Sequence, residues 1–323
     1  MILTVCLSST LQKTVTFNKV SLTHVNRSTS YRLDASGKAV NTARVLDMLE
    51  PGVSLSLCPL GKENADLFLK LAEQDKLAVK TVMVPGFTRE CLTLLDSSNH
   101  ETTEIVVGEP ALDFDREKAE QEFMEILQKA LSEGTDPKSK QKGTAPQVDK
   151  AVQAVVLAGS RPAMWSEDFQ ARISKVVVDA GVILLADFCG KDLLRTLELC
   201  TPQIIKINEE EFCSTFGYEF PLPEDKLRLL ISEKSKELKN VIVITRGTEE
   251  TYAARNGVFY SHPVEKVVPV NTTACGDTFN AGFIYEYLKT MDETGKADVQ
   301  SALSKGTWCA ARNAESEVPG TIR

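Results

Sequence analysis

Short apolar runs alternate with longer amphipathic stretches along most of the chain. The apolar runs lack a polar face, which is typical of strands in a parallel sheet that is covered on both sides. They are Ile2–Leu7, Val53–Cys58, Ala154–Ala158, Val182–Ala186, Ile204–Ile207 and Val241–Thr245. The amphipathic stretches show helical spacing and are Val40–Leu49, Asn64–Glu73, Arg116–Leu131, Ser166–Ala180 and Glu224–Leu238. The alternation predicts a three-layer α/β fold with a central, mostly parallel sheet.

Two stretches, Lys13–Leu33 and Thr88–Val107, instead alternate polar and apolar residues. A period of two predicts antiparallel strands that have one wet face. We therefore expect a small β-ribbon formed by about 11–34 and 87–108. The ribbon either covers a pocket as a lid or packs on the main domain as simple hairpins.

Length and composition indicate the number of domains, the excluded partners and the cellular compartment. With 323 residues the chain can bury one large core, so we expect a single domain over 1–323. Polar residues, Gly and Pro dominate 133–150, which predicts a flexible surface loop there. The net charge of −8 argues against nucleic acid or a membrane surface as a partner. The eight scattered cysteines and the lack of a signal or spanning segment predict a cytoplasmic protein with free thiols.

The strongest chemical signal lies around position 270, where an extended run meets a turn and then a helix that reaches about Thr290. The turn consists of the small residues Ala274, Cys275 and Gly276. The first N–H groups of a helix have no internal partner, so an anion can sit at this turn. Asp277 follows directly and is placed to take a proton from an attacking hydroxyl. The alternative is that Asp277 merely caps the helix.

The full string resembles the D-T-T-G-A-G-D-T-F-x-x-G-F signature of the ribokinase-like sugar kinases, the phosphofructokinase-B family. The matching positions are Thr272, Thr273, Gly276, Asp277, Thr278, Phe279, Asn280, Gly282 and Phe283. In that family the turn is the anion hole for the transferring phosphoryl group, and the Asp is the base. The resemblance therefore implies that the backbone of Ala274, Cys275 and Gly276 binds phosphate, and that Asp277 deprotonates the acceptor.

Further matches concern the sugar. Gly37-Lys38-Ala39-Val40-Asn41 resembles the first family signature, G-G-K-G-x-N, and a Gly turn with Lys at a helix start also suits an anion. Thr88-Arg89 resembles the T-R pair of members that act on hexose phosphates, where the Arg contacts the substrate phosphate. Without the resemblance, Arg89 is as well explained as a solvated charge. By resemblance the substrate-binding residues are Gln12, Arg27, Gly37, Lys38, Asn41, Arg89 and Ser160.

A second group of matches concerns the nucleotide and its metal. Lys206-Ile207-Asn208-Glu209-Glu210-Glu211 resembles K-P-N-x-x-E, in which Asn and Glu organise Mg²⁺ through water. The alternative is an ordinary acidic helix start. The resemblance implies ATP and Mg²⁺ as cofactors, with Asn208 and Glu211 near the metal. It assigns the nucleotide to Lys206, Asn208, Thr245, Gly247, Thr248 and Asn313.

The chain also departs from the family pattern. Gln12 stands where the tagatose-6-phosphate kinase and 1-phosphofructokinase branch, which the chain resembles most, carries an Asp that binds sugar hydroxyls. Ser36 and Ala39 replace glycines of the first signature. In the catalytic turn Ala274 and Cys275 replace Gly-Ala, and a positive φ at Ala274 costs about 1 kcal/mol. We interpret Cys275 as a packing residue rather than a reactive thiol.

The sequence thus predicts ATP-dependent phosphorylation of a small sugar phosphate, such as tagatose 6-phosphate or fructose 1-phosphate. The alternatives are a kinase of a free sugar or nucleoside, and a weakened, regulatory sugar-binding relative. A nicotinamide dehydrogenase is disfavoured because no G-x-G-x-x-G follows the first strand. Exposed ribbon edges favour a homodimer through the lid, in which Arg27 reaches the neighbouring site.

Overall fold

A computed structural model describes residues 1–107, 114–132 and 151–322 of the protein. Strands are numbered in chain order. Within the described ranges the main sheet contains β1 (Ile2–Val5), β4 (Ser54–Gly61), β5 (Val79–Val84), β8 (Ala154–Ala158), β9 (Ile183–Asp187), β10 (Ile204–Asn208), β11 (Val241–Thr245), β12 (Thr251–Arg255) and β13 (Val258–His262). Their order is β13-β12-β11-β10-β9-β8-β1-β4-β5. The strands from β11 to β5 are parallel, and β12 and β13 add an antiparallel edge.

A second, smaller sheet is built from the two alternating stretches. Its strands are β2 (Thr10–Phe17), β3 (Ser30–Ser36), β6 (Arg89–Asp96) and β7 (Glu101–Val106). β2 with β3 and β6 with β7 form antiparallel hairpins, and β2 and β6 join the hairpins in parallel. We call these four strands the small sheet. Residue 108 of the predicted ribbon and the predicted loop at 133–150 lie outside the described residues.

Helices cover both faces of the main sheet. They are α1 (Lys38–Leu49), α2 (Ala65–Gln74), α3 (Arg116–Ser132), α4 (Phe169–Asp179), α5 (Gly190–Leu199), α6 (Glu209–Phe216), α7 (Glu224–Leu238), α8 (Cys275–Thr294) and α9 (Val299–Ala314). Each predicted helix is present, with ends displaced by a few residues. The pattern did not predict α5, α6, α9 or the strands β5, β12 and β13.

The core lies in two layers, one on each face of the main sheet. Trp165, Phe123 and Phe169 are buried with the odd-numbered side chains of β1 on one face. Phe279 and Phe283 of α8 fill the other face. Since successive strand residues point to opposite faces, strands buried on both sides need apolar residues throughout. The predicted three-layer α/β fold is confirmed.

The connections place a crevice at the carboxyl ends of the parallel strands. From β1 the chain passes through part of the small sheet and α1 to β4 on one side, whereas β8 to β11 extend the sheet on the other. The direction of winding therefore changes between β1 and β8, which is where open α/β sheets bind ligands. Helix α8 packs closely on α9 beside this point, because a Cβ on Gly282 would lie 2.6 Å from the Lys305 carbonyl oxygen.

Two further expectations concern thiols and membranes. All eight cysteines are free, as the scattered spacing predicts. Among the helices that the structure describes, none combines the length and the apolar character needed to span a bilayer.

Candidate active site

A cavity of about 650 Å³ opens between the small sheet and the carboxyl ends of the main strands. The predicted residues that line it are Gln12, Gly37, Lys38, Asn41, Arg89, Lys206, Asn208, Glu211, Thr245, Ala274, Cys275, Gly276 and Asp277. Residues from both ends of the chain therefore meet in one space. Arg27, Ser160, Gly247 and Thr248 are exposed and lie outside the cavity lining.

The turn before α8 has the form expected of an anion site. Ala274 adopts a left-handed conformation with φ of 67°, so the chain enters α8 directly at Cys275. In the described part of the chain, the N–H groups of Gly276 and Asp277 have no backbone partner. The Lys206 ammonium lies close by, 3.1 Å from the position that a Cβ of Gly276 would take. Unpaired amides and a cation thus converge on the same point.

Asp277 lies beside these amides and is 5% exposed. Its Oδ2 accepts a hydrogen bond from Asn41 Nδ2 at 2.9 Å, and its carbonyl oxygen accepts one from Thr42 Oγ1 at 3.2 Å. Burial raises the pKa of the Asp277 carboxyl from 3.8 to about 6, although the Lys38 charge and the Asn41 hydrogen bond act in the opposite direction. A carboxylate with this pKa is ionised at neutral pH and is a stronger base than an exposed one.

Asn41 is fixed by two donors on its other side. Its Oδ1 accepts from Ser36 Oγ at 2.9 Å and from Arg44 Nη1 at 3.1 Å. Because both donors occupy the amide oxygen, the amide nitrogen must face Asp277. Ser36 stands where the family has glycine, so its hydroxyl is an addition to the usual pattern.

Asp187, at the end of β9, joins the two lysines of the cavity and was not predicted. Lys38 Nζ lies 3.5 Å from Asp187 Oδ2, and Lys206 Nζ lies 3.4 Å from Oδ1. Asn280 Nδ2 donates to Oδ2 at 2.8 Å. Burial opposes ionisation of Asp187, but Lys206 and Lys38 outweigh it and hold the pKa of this carboxyl below its ordinary value. Asp187 also raises the pKa of Lys38, so this ammonium group stays charged beside the turn.

One wall of the cavity is formed by one face of the small sheet. Gln12 Nε2 donates to Thr93 Oγ1 at 2.6 Å, so one amide hydrogen is committed within the sheet. Arg89 Nε donates to Thr10 Oγ1 at 3.1 Å, which orients the guanidinium along the cavity wall. The small sheet also contacts the turn, since Thr273 Oγ1 donates to Glu104 Oε1 at 2.7 Å. Glu104 was not predicted, although it alternates with Thr102 and therefore shares its face.

Another part of the cavity wall contains a capping box at the start of α6. Asn208 Oδ1 accepts from the Glu211 N–H, and Glu211 Oε2 accepts from the Asn208 N–H, each at 2.8 Å. The two residues thus stabilise the helix start and also line the cavity with oxygen atoms. Over the described ranges, no cluster of three His, Cys, Asp or Glu side chains could bind a metal directly.

Two predicted residues have different surroundings from the other site residues. Asn313 is fully buried, and its amide bonds the Thr273 carbonyl, the Cys275 thiol and the N–H groups of Gly320 and Thr321. All of its hydrogen-bonding capacity is used within the protein and it lies outside the cavity lining, so its assignment to an adenine pocket stays a prediction. Burial raises the pKa of the Cys275 thiol, which favours a packing role for that side chain.

Comparison with known proteins gives one family and one fold. The model of the pfkB family of carbohydrate kinases matches residues 1–321. A Thermotoga maritima protein described as a possible 1-phosphofructokinase has a TM-score of 0.81 at 18% identity, covering 100% of this chain and 94% of its own. The tetrameric inhibited form of Escherichia coli phosphofructokinase-2 has a TM-score of 0.78 at 18% identity, and the match covers 97% of this chain and 93% of the phosphofructokinase-2 chain. A Burkholderia thailandensis nucleoside kinase in complex with inosine has a TM-score of 0.65 at 17% identity, and the match covers 99% of this chain and 92% of the nucleoside kinase chain.

Proposed function

Because this chain belongs to the pfkB family of carbohydrate kinases, we propose that it transfers the γ-phosphate of ATP to a hydroxyl of a hexose phosphate. Tagatose 6-phosphate and fructose 1-phosphate are the leading candidates, as the motifs of the opening segment and Thr88-Arg89 suggest. One observation carries the proposal. The buried Asp277 carboxylate lies directly beside unpaired backbone amides, in a cavity large enough for two reactants.

The phosphoryl group would be transferred at the turn before α8. The N–H groups of Gly276 and Asp277 and the ammonium of Lys206 are placed to stabilise charge on the phosphoryl oxygens. Lys38 is held on the same side through Asp187. Asp277 would accept the proton of the attacking hydroxyl, and the Asn41 amide would hold its carboxylate in place for that step.

The phosphate of the sugar substrate would lie against the small sheet. Arg89 lines that wall, and its guanidinium suits a phosphate through paired N–H donors. Lys38 is also among the residues that the resemblance assigns to substrate binding. Its pairing with Asp187 makes it better suited to the transferring group, so Arg89 is left as the main contact for the substrate phosphate.

Magnesium would be bound mainly by the nucleotide phosphates. Asn208 and Glu211 offer oxygen atoms at the cavity wall, which is the donor chemistry that Mg²⁺ prefers, and they would contact it through water. When bound, the ion supplies positive charge that offsets the charge of the phosphates. The lack of a direct three-ligand cluster in the described residues fits this indirect arrangement.

The small sheet would act as a lid over the site. It contacts the turn through Glu104 and Thr273, and closing it would keep water from the transferring phosphoryl group. Its outer face exposes Tyr31 and Ile105, with Lys13 stacked 5.0 Å above the Tyr31 ring. This partly apolar face would pair with that of a second copy in a homodimer. Sedimentation of the protein and of Ile105→Lys tests the pairing, and a monomer for both would contradict it.

An ADP-release assay over a panel of hexose phosphates, free sugars and nucleosides tests the proposed function. We expect turnover with at least one hexose phosphate, and its loss in Asp277→Asn. Turnover with a nucleoside or free sugar alone would replace the substrate class. If no substrate releases ADP, the weakened sugar-binding alternative is favoured, for which Gln12 in place of the usual Asp is the supporting observation.

A further inference from the structure

Residues Ser316–Thr321 form a turn that contacts both halves of the candidate active site, and we call it the C-terminal turn. It is closed by its own hydroxyl groups. Ser316 Oγ and Thr321 Oγ1 are 2.8 Å apart, the Val318 N–H donates to Ser316 Oγ at 3.1 Å, and Thr321 Oγ1 donates to the Val318 carbonyl at 2.7 Å. Local bonds of this kind stabilise the conformation of the turn.

The first contact of the C-terminal turn is with the phosphate side of the site. Asn313 Oδ1 accepts from the N–H groups of Gly320 at 2.7 Å and Thr321 at 3.2 Å. Asn313 Nδ2 donates to the Thr273 carbonyl at 2.8 Å and to Cys275 Sγ at 3.3 Å. One buried amide therefore connects the C-terminal turn to the turn whose backbone faces the phosphoryl group.

The second contact is with the residues that hold the base. Gly320 has φ of 70°, and a Cβ on it would lie 2.9 Å from Asn41 Cβ, 3.0 Å from Asn41 Cα and 3.1 Å from Arg44 Nη1. The Pro319 carbonyl oxygen also accepts from Arg44 Nη1 at 3.4 Å. The backbone of the C-terminal turn thus packs directly on the part of α1 that carries Asn41. No side chain can be placed between them without moving Asn41.

We propose that the C-terminal turn is a positioning element of the active site, in which Gly320 sets the place of Asn41 and Asn313 sets the place of the phosphate-binding turn. The two residues lie outside the cavity lining and act through Asn41 and Thr273, so they are positioning residues rather than catalytic ones. The inference rests on the proposed function only in treating Asp277 as the base. The C-terminal turn thus contacts Asn41, which bonds the Asp277 carboxylate, and Asn313, which bonds the turn before α8.

Gly320→Ala tests the first part of the proposal, with Gly295→Ala as its matched control. Gly295 has nearly the same φ, 74°, but a Cβ there meets nothing within 4 Å, so it reproduces the backbone strain without the contact. We expect Gly320→Ala to lower kcat about 10- to 100-fold, since small misplacements at a reacting centre cost this much. Gly295→Ala is expected to keep kcat within about twofold of the wild type, because it lies far from the cavity lining.

A readout independent of turnover is the pKa of Asp277, followed by ¹³C NMR of the aspartate carboxyls, with Asp277→Asn for assignment. The Asn41 hydrogen bond lowers this pKa, so displacing Asn41 should raise it. Lys38, Lys206 and Asp187 are the charged groups that also influence it, and none of them is among the three atoms nearest to a Cβ on Gly320. Asn41→Ala should give the same upward shift. Adding Gly320→Ala to Asn41→Ala should give no further shift.

The outcomes separate the inference from the proposed function. If the wild-type protein turns over a hexose phosphate and the Asp277 pKa is unchanged in Gly320→Ala, the inference is overturned and the proposed function stands. The predicted shift in a protein without kinase activity would overturn the proposed function and leave the positioning role intact. If Gly320→Ala does not fold, Asn313→Ala serves as the second variant. We expect it to have a raised KM for ATP. An unchanged KM in that variant would overturn the role of Asn313.

Discussion

Asn41 Nδ2 donates a hydrogen bond to Asp277 Oδ2 at 2.9 Å, although 236 positions separate the two residues in the chain. Asn41 belongs to the first turn of α1 and Asp277 to the first turn of α8. Both helices therefore begin at the same cavity, where the two side chains meet. This pairing governs most of the expected behaviour of the site.

Replacing the base is the most direct test of its role. Asp277→Asn keeps the shape of the side chain but cannot accept a proton, so kcat should fall by about 10²- to 10⁴-fold or more. Nucleotide binding, measured by calorimetry, should remain close to that of the wild type. Asp225→Asn is a matched control because Asp225 also lies in the first turn of a helix, α7, but is exposed. Turnover near the wild-type rate in Asp277→Asn would remove the base assignment.

The pH dependence follows from the raised pKa of the same carboxyl. Since Asp277 must be ionised to act as a base and its pKa is about 6, kcat/KM for the sugar phosphate should fall as the pH drops below about 6. Asn41→Ala removes a hydrogen bond that lowers this pKa, so the acid limb should move to higher pH. A limb at about pH 4 in the wild type would indicate an exposed carboxyl and contradict the burial seen here.

The same carboxyl should lower the stability of the fold. Its pKa rises from 3.8 to about 6 on folding, so the ionised form opposes folding by up to about 3 kcal/mol above pH 6. The penalty should vanish as the pH falls from 6 towards 3.8, because the folded state then takes up the proton first. We expect Asp277→Asn to have the higher free energy of unfolding at pH 7 to 8. Denaturant titrations at several pH values should show this advantage shrinking towards pH 4, and a constant difference would contradict it.

Replacing Arg89 should weaken binding of the sugar phosphate much more than binding of ATP. Arg89→Ala removes the guanidinium from the cavity wall, so KM for a phosphorylated sugar should rise by about tenfold or more, and much more than KM for ATP. Steady-state kinetics with each substrate varied in turn provide the measurement. Lys13→Ala is the control, since Lys13 is a cation on the opposite face of the same small sheet. Equal effects on both substrates would rule out a contact with the sugar phosphate.

Gln12 should influence which sugar is used. Gln12→Asp introduces the acceptor that the resembling branch carries, so the ratio of kcat/KM between two hexose phosphates should change by about tenfold or more. KM for ATP should stay nearly constant, because Gln12 lies in the small sheet rather than near Asn208. Gln12→Asn separates the effect of length from that of charge. A uniform change for every sugar would show that the residue does not select among them.

The fold was largely predictable because buried parallel strands and amphipathic helices leave clear periodic patterns. The exceptions have physical reasons. Strands β12 and β13 form an antiparallel edge with mixed polarity, and α6 has only eight residues, too few for a convincing stripe. Helix α9 contains Thr, Gly and Cys among its buried residues, so its inner face is not conspicuously apolar.

The site was predictable where its residues are adjacent in sequence and obscure where they meet only in space. The turn at 274–276 and Asp277 form one continuous motif. Asp187 gave a weaker signal, an acidic residue ending a buried strand, which could have been noticed. The roles of Ser36, Arg44 and Gly320 depend on packing between the two ends of the chain, for which one sequence holds no evidence.

The joining of both ends of the chain at one site has a consequence for synthesis. A ribosome makes β1 and α1 first, whereas Asn313 and Gly320 are made only after β13 and α8. The contacts of Gly320 with Asn41 and of Asn313 with Thr273 therefore form only after the described strands of the main sheet have been synthesised. A nascent polypeptide that stops before Asn313 lacks both contacts.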